Sequence, residues 1–484
     1  MSHHTFLNRF TRRWHAESGY RDVLKLALPL ILSTSAWTVQ HFVDRMFLTW
    51  YSPETIAAAM PSGILNFTLM SLFIGTAGYV STFVAQYYGA KQYENIGSAL
   101  WQGIYLSMFG GLAFLIFIPL AEPIFRAIGH EALVQQYEVI YFQVLCYGSI
   151  AGLGASALSS FFSGLGRTWP VMWVNVLATA VNLILDYAMI FGNWGFPEMG
   201  IRGAAIATVI AQYVGFITYI LILFRKKYDQ RYHTIRGWRF NGAIFRRLLK
   251  FGLPSGIQFF VDIMGITVFI LLMGRLGTTN LAATNIAFNI NSLAFMPMIG
   301  FAIAVSVLVG QHLGNNRPDL AERGVYSGFH ITLLYMSSIA AFYVLAPKLI
   351  LLPYAAQADP ETFAEIQHLV IILLRFVAVY SVFDSLNLIF ASAIKGAGDT
   401  RFVMLAMLAM SVGGLILPSY IALVVLESSI FVGWTIATFY ISALGVVFFL
   451  RYRGGKWKSM RVIDEVPPFT PPTISENPVA DYEL

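Results

Sequence analysis

Asp44, Asp186, Asp262 and Asp384 each fall well inside a long apolar run of the chain. An ionised carboxylate near the centre of a bilayer costs about 2.5–3.5 kcal/mol on insertion scales, so each needs a donor, a proton or a cation, and such residues are functional candidates by default. The alternative is a helix-end acid reaching the interface or pairing with a base, as Arg45 beside Asp44 would allow. Polar neighbours at helical spacing support the functional reading. Ser33, Trp37, Gln40 and Asp44 step by 4, 3 and 4 residues, and Asn175, Thr179, Asn182 and Asp186 repeat that spacing, which puts each set on one helix stripe. Shorter stripes are Ser255, Gln258 and Asp262; Asn285, Asn289 and Ser292; and Ser381, Asp384 and Asn387. Hydroxyl stripes alone commonly glue membrane helices together. A stripe ending in a buried Asp points instead to proton or cation chemistry. Gln40, His41, Gln258, Asn285 and Asn289 are candidates to line a cavity beside the acids, and His41, one turn before Asp44, could relay protons or serve structurally.

The elements that must hold these residues are helices in lipid. Of 484 residues 57% are hydrophobic, 15% aromatic and only 12% charged, and the mean hydropathy is +0.66. An average soluble domain carries about 25% charged residues. Cytosolic enzymes, nucleic-acid binders and disulfide scaffolds are disfavoured, the last because Cys146 is the single cysteine. Apolar runs long enough to cross about 30 Å of hydrocarbon predict twelve spans, the first at 24–50, the third at 95–121 and the last at 430–450. The basic N-terminus has no apolar stretch ending in a cleavage site, so the first span is expected to insert itself.

Lys and Arg set the orientation. The N-terminal segment, the stretch 225–250, the start of the tail and the even-numbered loops, with Lys91, Arg167, Arg317, Arg323, Lys395 and Arg401, hold 25 of the 31 bases. The positive-inside rule makes these segments and both termini cytoplasmic. The formal net charge of +6 is thereby explained by topology, with no nucleic-acid partner and membrane lipids as the anionic neighbours.

An internal repeat sets the architecture. A shift of 225 places Leu28-Pro29 on Leu253-Pro254, Asn66 on Asn291, Gln86 on Gln311 and Gly89 on Gly314; a shift of 232 places Gly164 and Gly166 on Gly396 and Gly398. The expected fold is an all-α polytopic membrane protein of twelve transmembrane helices in two pseudo-symmetric six-helix lobes. Residues 1–23 form a basic cytoplasmic segment, 24–225 the N-lobe, 226–245 a cytoplasmic linker, 246–452 the C-lobe and 453–484 a disordered cytoplasmic tail. Two lobes around a cavity is a transporter architecture, with binding expected near the midplane. The acids break the repeat: Asp44 falls on Phe269, Asp186 on Pro418, Asp262 on Trp37 and Asp384 on Gly152. Each lobe could therefore build its own cation or proton site.

The segments LALPLILSTSAWTVQHFVDRMFLTW, GLPSGIQFFVD and VFDSLNLIFASAIKGAGDT resemble the multidrug and toxic compound extrusion family over about 24–450. The resemblance implies a V-shaped pair of lobes that exports organic cations in exchange for protons or sodium ions. Carried over by motif, Asp44 matches the first-span acid of V-D-x-x-F, Asn182 and Asp186 the fifth-span N-x-x-x-D, and Thr208 a sixth-span hydroxyl. Together these imply an N-lobe cation-coupling site that could take Na+. Asp262 matches a seventh-span acid that is often Glu, one methylene longer, and Asp384 the tenth-span acid, implying a C-lobe coupling or substrate site.

The expected function is thus a cation-coupled antiporter, driven by H+ or Na+, exporting organic and mainly cationic drugs from the plasma membrane, or the inner membrane of a Gram-negative cell. It is expected to work as a monomer, without a cofactor and without enzymatic activity. No phosphate loop, H-E-x-x-H or G-x-S-x-G is present, so ATP use and hydrolysis are not expected. The alternative is a flippase for a lipid-linked saccharide, which would call for a basic cavity.

Overall fold

The computed structural model describes residues 11–355 and 360–463. The N-lobe contains α1 (Tyr20–Tyr51), α2 (Pro53–Gly78), α3 (Val80–Gly89), α4 (Tyr93–Phe114), α5 (Phe117–Ile128), α6 (Ala132–Gly164), α7 (Thr168–Phe191) and α8 (Ile201–Leu223). A short α9 (Lys226–Tyr232) lies in the linker. The C-lobe contains α10 (Gly242–Gly274), α11 (Thr278–Gly314), α12 (Pro318–Leu345), α13 (Pro347–Ala355), α14 (Pro360–Ala397), α15 (Thr400–Met410), α16 (Leu417–Tyr420) and α17 (Ile430–Arg453). Among the described residues eleven helical segments are long and apolar enough to cross a membrane, and α4 with α5, bent by 53° at residues 115–116, is a twelfth if the pair is one span. The chain is a multi-pass helical membrane protein, as its composition requires.

Local chemistry sets the helix ends. Ser52 separates α1 from α2 and accepts from Thr55 N at 3.3 Å, with Pro53 opening the new helix, the preferred cap and first-turn residues. Asn241 accepts from the backbone N of Ala243 and Ile244, both at 3.1 Å, and starts α10. In the eleventh span Pro418 lacks an N–H and its ring crowds the preceding turn. The backbone there widens into π-helical turns at Ser411–Ile416 and Ile421–Val425.

The two lobes share one hydrophobic core and meet at the end of the molecule where most bases lie, here called the basic end. There α3 crosses α11 with backbone in contact. A Cβ on Gly89 would lie 1.9 Å from Gln311 O, and one on Gly314 would lie 2.1 Å from Gln86 O, so the pseudo-equivalent glycines make the same approach in reverse. The glutamines extend that symmetry. Gln86 Nε2 donates to Gly396 O at 3.0 Å, and Gln311 Nε2 donates to Gly164 O at 2.9 Å.

Segments preceding each lobe clasp the opposite lobe. Ser327 Oγ of α12 donates to Ser18 O at 3.2 Å, ahead of α1. Its repeat equivalent on α4, Gln102, donates through Nε2 to Arg239 O at 3.4 Å, ahead of α10. Trp101 Nε1 adds a bond to Thr234 O at 2.7 Å.

Three expectations change. The tail is not loose from 453: Lys456–Ser459 is a 3-10 turn, Trp457 is buried and stacks on Tyr452 with centroids 4.8 Å apart, and Val462 N donates to Gln86 Oε1 at 2.8 Å. The remainder of that predicted disorder, 464–484, lies outside the described residues. Lys395 is not in a loop, because α14 continues to Ala397. Glu138 is a fifth carboxylate inside an apolar helix: it is fully buried on α6 and pairs with His130 Nδ1 at 2.7 Å.

Candidate functional site

In the N-lobe the two predicted stripes face each other. Ser33, Gln40 and Asp44 are the buried polar residues of α1, and Thr179, Asn182 and Asp186 those of α7 in the same stretch. They join as rungs. Asn175 Nδ2 donates to Ser33 Oγ, and Thr179 Oγ1 donates to Gln40 Oε1 at 3.5 Å. On the third rung the Asp44 and Asp186 carboxyls come within side-chain hydrogen-bonding range of each other. Asn182 Nδ2 donates to Thr208 Oγ1 of α8 at 3.4 Å. The four sequence-predicted residues of this lobe thus converge.

Asp44 Oδ1, both Asp186 oxygens and Asn182 Oδ1 are buried without a well-formed hydrogen bond, and the Asn182 side chain is the donor beside Asp186. A buried polar atom left this way costs about 1–3 kcal/mol, and more if charged. Two facing carboxylates cannot bond each other unless one carries a proton or a cation lies with them. Among the described residues no group of three His, Cys, Asp or Glu converges. A metal ion here would therefore be held by two carboxylates with amide and hydroxyl oxygens, a donor set for a hard cation. Arg45 is exposed on α1 and acts on Asp44 only through its charge.

Below the ladder, toward the basic end, a cavity of about 290 Å³ is lined by Ser33, Ser81, Ser156, Ser160, Ser163 and Asn175 among others. It adjoins the Ser33–Asn175 rung.

In the C-lobe, Asp384 on α14 is buried and accepts from Asn387 Nδ2 at 3.3 Å, and Asp262 on α10 is half-buried and close enough to act on its charge. Gln258, one turn from Asp262, accepts from Lys395 Nζ at 3.0 Å. The C-lobe acids thus have an ammonium nearby, which the N-lobe pair does not. His41 turns from the acids and packs edge-on against Trp37, with centroids 4.6 Å apart. Trp37 meets Phe67, and Phe67 meets Phe259 of the other lobe at 6.0 Å. Asn285 and Asn289 are exposed on α11 and are not drawn into either acid cluster.

Sequence reasoning missed two neighbours of these clusters. Tyr141 of α6 is buried and feels the charge of both Asp44 and Asp186. A lone Tyr in an aromatic-rich helix carries no pattern to find it by. Lys395 did carry one: it follows Asp384 by 11 residues, three helical turns, and so shares its face.

The MatE family profile matches the chain twice, over residues 29–188 and 254–421. The chain belongs to the MatE family. The two matches begin 225 residues apart, which is the internal repeat. Similar sequences include "Probable multidrug resistance protein NorM" of Mesorhizobium japonicum, 29% identical and covering 81% of this chain and 84% of that protein. The protein of the same name from Thermotoga maritima is 25% identical over 92% of this chain and 94% of its own. Solved MATE structures share the fold. An outward-facing multidrug resistance MATE transporter superposes with TM-score 0.83 at 19% identity over 93% of this chain and 99% of that one. A transporter from Pyrococcus furiosus, described as having a binding pocket of reverse polarity, gives the same values. This MatE protein is a transporter and not an enzyme.

Proposed function

We propose that this transporter is a cation-coupled antiporter that exports organic cations, with H+ or Na+ bound at Asp44, Asp186, Asn182 and Thr208. The observation that carries the reading is the set of four buried acceptor oxygens that lack a well-formed hydrogen bond. Such a cluster is stable only when it holds a positive charge, so its occupancy changes the packing between α1 and α7. The serine-lined cavity offers the ion a polar route to the basic end, taken as cytoplasmic by the positive-inside rule. The Asp262/Asp384 pair supplies the attraction for an organic cation, and Trp37, Phe67 and Phe259 supply aromatic faces. Ion and drug drive one another only if each favours a different state of the lobes. The location is the plasma membrane, or the inner membrane of a Gram-negative cell, and the coupling needs no second subunit. Four deep aspartates against one lysine favour a cationic substrate over an anionic lipid-linked saccharide.

The test is transport of ethidium in proteoliposomes with proton and sodium gradients imposed separately. One of the two gradients should drive uptake against the ethidium gradient, and Asp44→Asn and Asp186→Asn should each lower the driven rate at least about tenfold. Driven transport that is undiminished in both variants would sink the assignment.

A further inference from the structure

Among the described residues, Lys395 is the base that the fold carries toward the C-lobe acids. Its ammonium rests on the neutral Gln258 side chain at 3.0 Å, one turn along α10 from Asp262, whose charge it feels. Asp262 in turn acts on Asp384. The C-lobe thus holds two carboxylates and a tethered cation in series along the α10–α14 seam. An ammonium has three donors and a flexible four-carbon stem, so Gln258 leaves it free to move one turn outward onto Asp262.

The backbone at the same residue belongs to the contact between lobes. Tyr79 OH of the N-lobe donates to Lys395 O at 2.7 Å, and Gln86 Nε2 donates to the next carbonyl, Gly396 O, at 3.0 Å. Carbonyls in the last turn of a helix have no intrahelical partner; Gly398 N already serves Lys395 O at 3.0 Å, so Tyr79 adds a second bond there, and Gln86 supplies the bond at Gly396 O. The repeat supplies a control within the molecule. Gln311 grips Gly164 O in the mirror position, but Ser163 stands where Lys395 would be and Ala304 where Tyr79 would be. The glutamine grip is duplicated, and the lysine tie belongs to the C-lobe alone.

We propose that Lys395 is a positioning residue that links substrate occupancy to closure of the basic end. Its ammonium competes with the organic cation for Asp262 and Asp384: advance onto the vacant acids loosens the hold of Tyr79 and Gln86 on the end of α14, and return to Gln258 when the substrate takes the acids restores it. Two cations cannot share the pair without repulsion, so the substrate pushes the lysine back toward Gln258 and the helix end. This rests on the organic-cation reading above.

The experiment uses the full chain in lipid nanodiscs with Cys146→Ala. Spin labels at Lys91→Cys and Arg401→Cys, both exposed at the basic end and one in each lobe, report the separation of the lobes by pulsed electron resonance. Tetraphenylphosphonium is the probe, and its binding is measured by equilibrium dialysis. With Lys395 native, the probe should shorten the label distance. Lys395→Met should bind the probe about tenfold more tightly, since a competing charge is gone, while the label distance ceases to respond. Lys395→Arg should restore the response. Should Lys395→Met fail to fold, Gln258→Leu serves, because it removes the resting place of the ammonium and should weaken probe binding severalfold. Native affinity in the folded Lys395→Met protein, native affinity in Gln258→Leu, or a distance response that survives Lys395→Met overturns the proposal. If the chain with native Lys395 binds no tetraphenylphosphonium, the organic-cation reading itself has failed, and the proposal falls with it.

Discussion

The N-lobe carboxyls and Glu138 are all buried acids, but their partners differ, and so do the consequences of mutation. Asp44 and Asp186 face each other with buried oxygens that lack a well-formed hydrogen bond. Glu138 has a resident partner, His130 Nδ1 at 2.7 Å, on a side chain that is 41% exposed. Glu138 Oε2 has no donor, so the pair already satisfies only half of the carboxyl. His130→Ala removes the rest and should lower stability by about 1–3 kcal/mol, seen as a fall in the thermal unfolding temperature. Glu138→Gln in the same chain should recover part of that loss, because the uncompensated charge is then gone. A double variant no more stable than His130→Ala would mean that the bond contributes nothing. Arg45, exposed beside Asp44, makes the opposite case. Arg45→Gln should leave ion-driven transport within about twofold of the native rate, since the charge of an exposed guanidinium reaches Asp44 only weakly through solvent.

At the scale of elements, the close crossing of α3 and α11 invites a direct test. A Cβ on Gly89 or Gly314 would meet backbone oxygen at 1.9 or 2.1 Å, and backbone cannot step aside as a side chain can. Gly89→Ala and Gly314→Ala should each cost about 1–3 kcal/mol of thermal stability through overpacking. Gly63→Ala on α2 meets nothing within 4 Å, and should be neutral or slightly stabilising. Equal unfolding temperatures for all three would refute the tight crossing. These elements were largely legible in sequence, because a helix in lipid needs about 20 apolar residues and little else interrupts them. The stripes on α1 and α7 were legible for the same reason: a polar residue in an apolar helix has only the interior to face. What the pattern did not give was where helices stop. The run KGAGDT reads as a turn, yet α14 carries Lys395 and Gly396 before ending at Ala397, which turns a predicted loop base into a neighbour of Asp262. The tail was misread similarly, since Trp457 and Val462 are too few to mark an element until Tyr452 and Gln86 supply their contacts.

For the whole molecule, the duplication produces a pair of cross-lobe bonds that are alike in kind and unequal in surroundings. Gln311 makes one bond, to Gly164 O. Gln86 makes two: its amide nitrogen serves Gly396 O, and its oxygen accepts from Val462 N of the segment after the last span. That segment is itself held by buried Trp457 and by Lys458 Nζ to Glu322 at 2.8 Å. The exposed ion pair contributes little, so the packing of Trp457 is the stronger tie. Each Gln→Leu change leaves buried carbonyl or N–H groups without partners, at about 1–3 kcal/mol for each group. Gln86→Leu strands two such groups and Gln311→Leu strands one. Gln86→Leu should therefore open the basic end further than Gln311→Leu, and the label pair at positions 91 and 401 should show a larger population of long distances. Trp457→Ala should resemble a weakened Gln86→Leu, because it frees Val462 without touching Gly396. If Gln311→Leu opened the molecule as far as Gln86→Leu, and Trp457→Ala did nothing, the closure would be purely symmetric and the terminal segment would have no part in it.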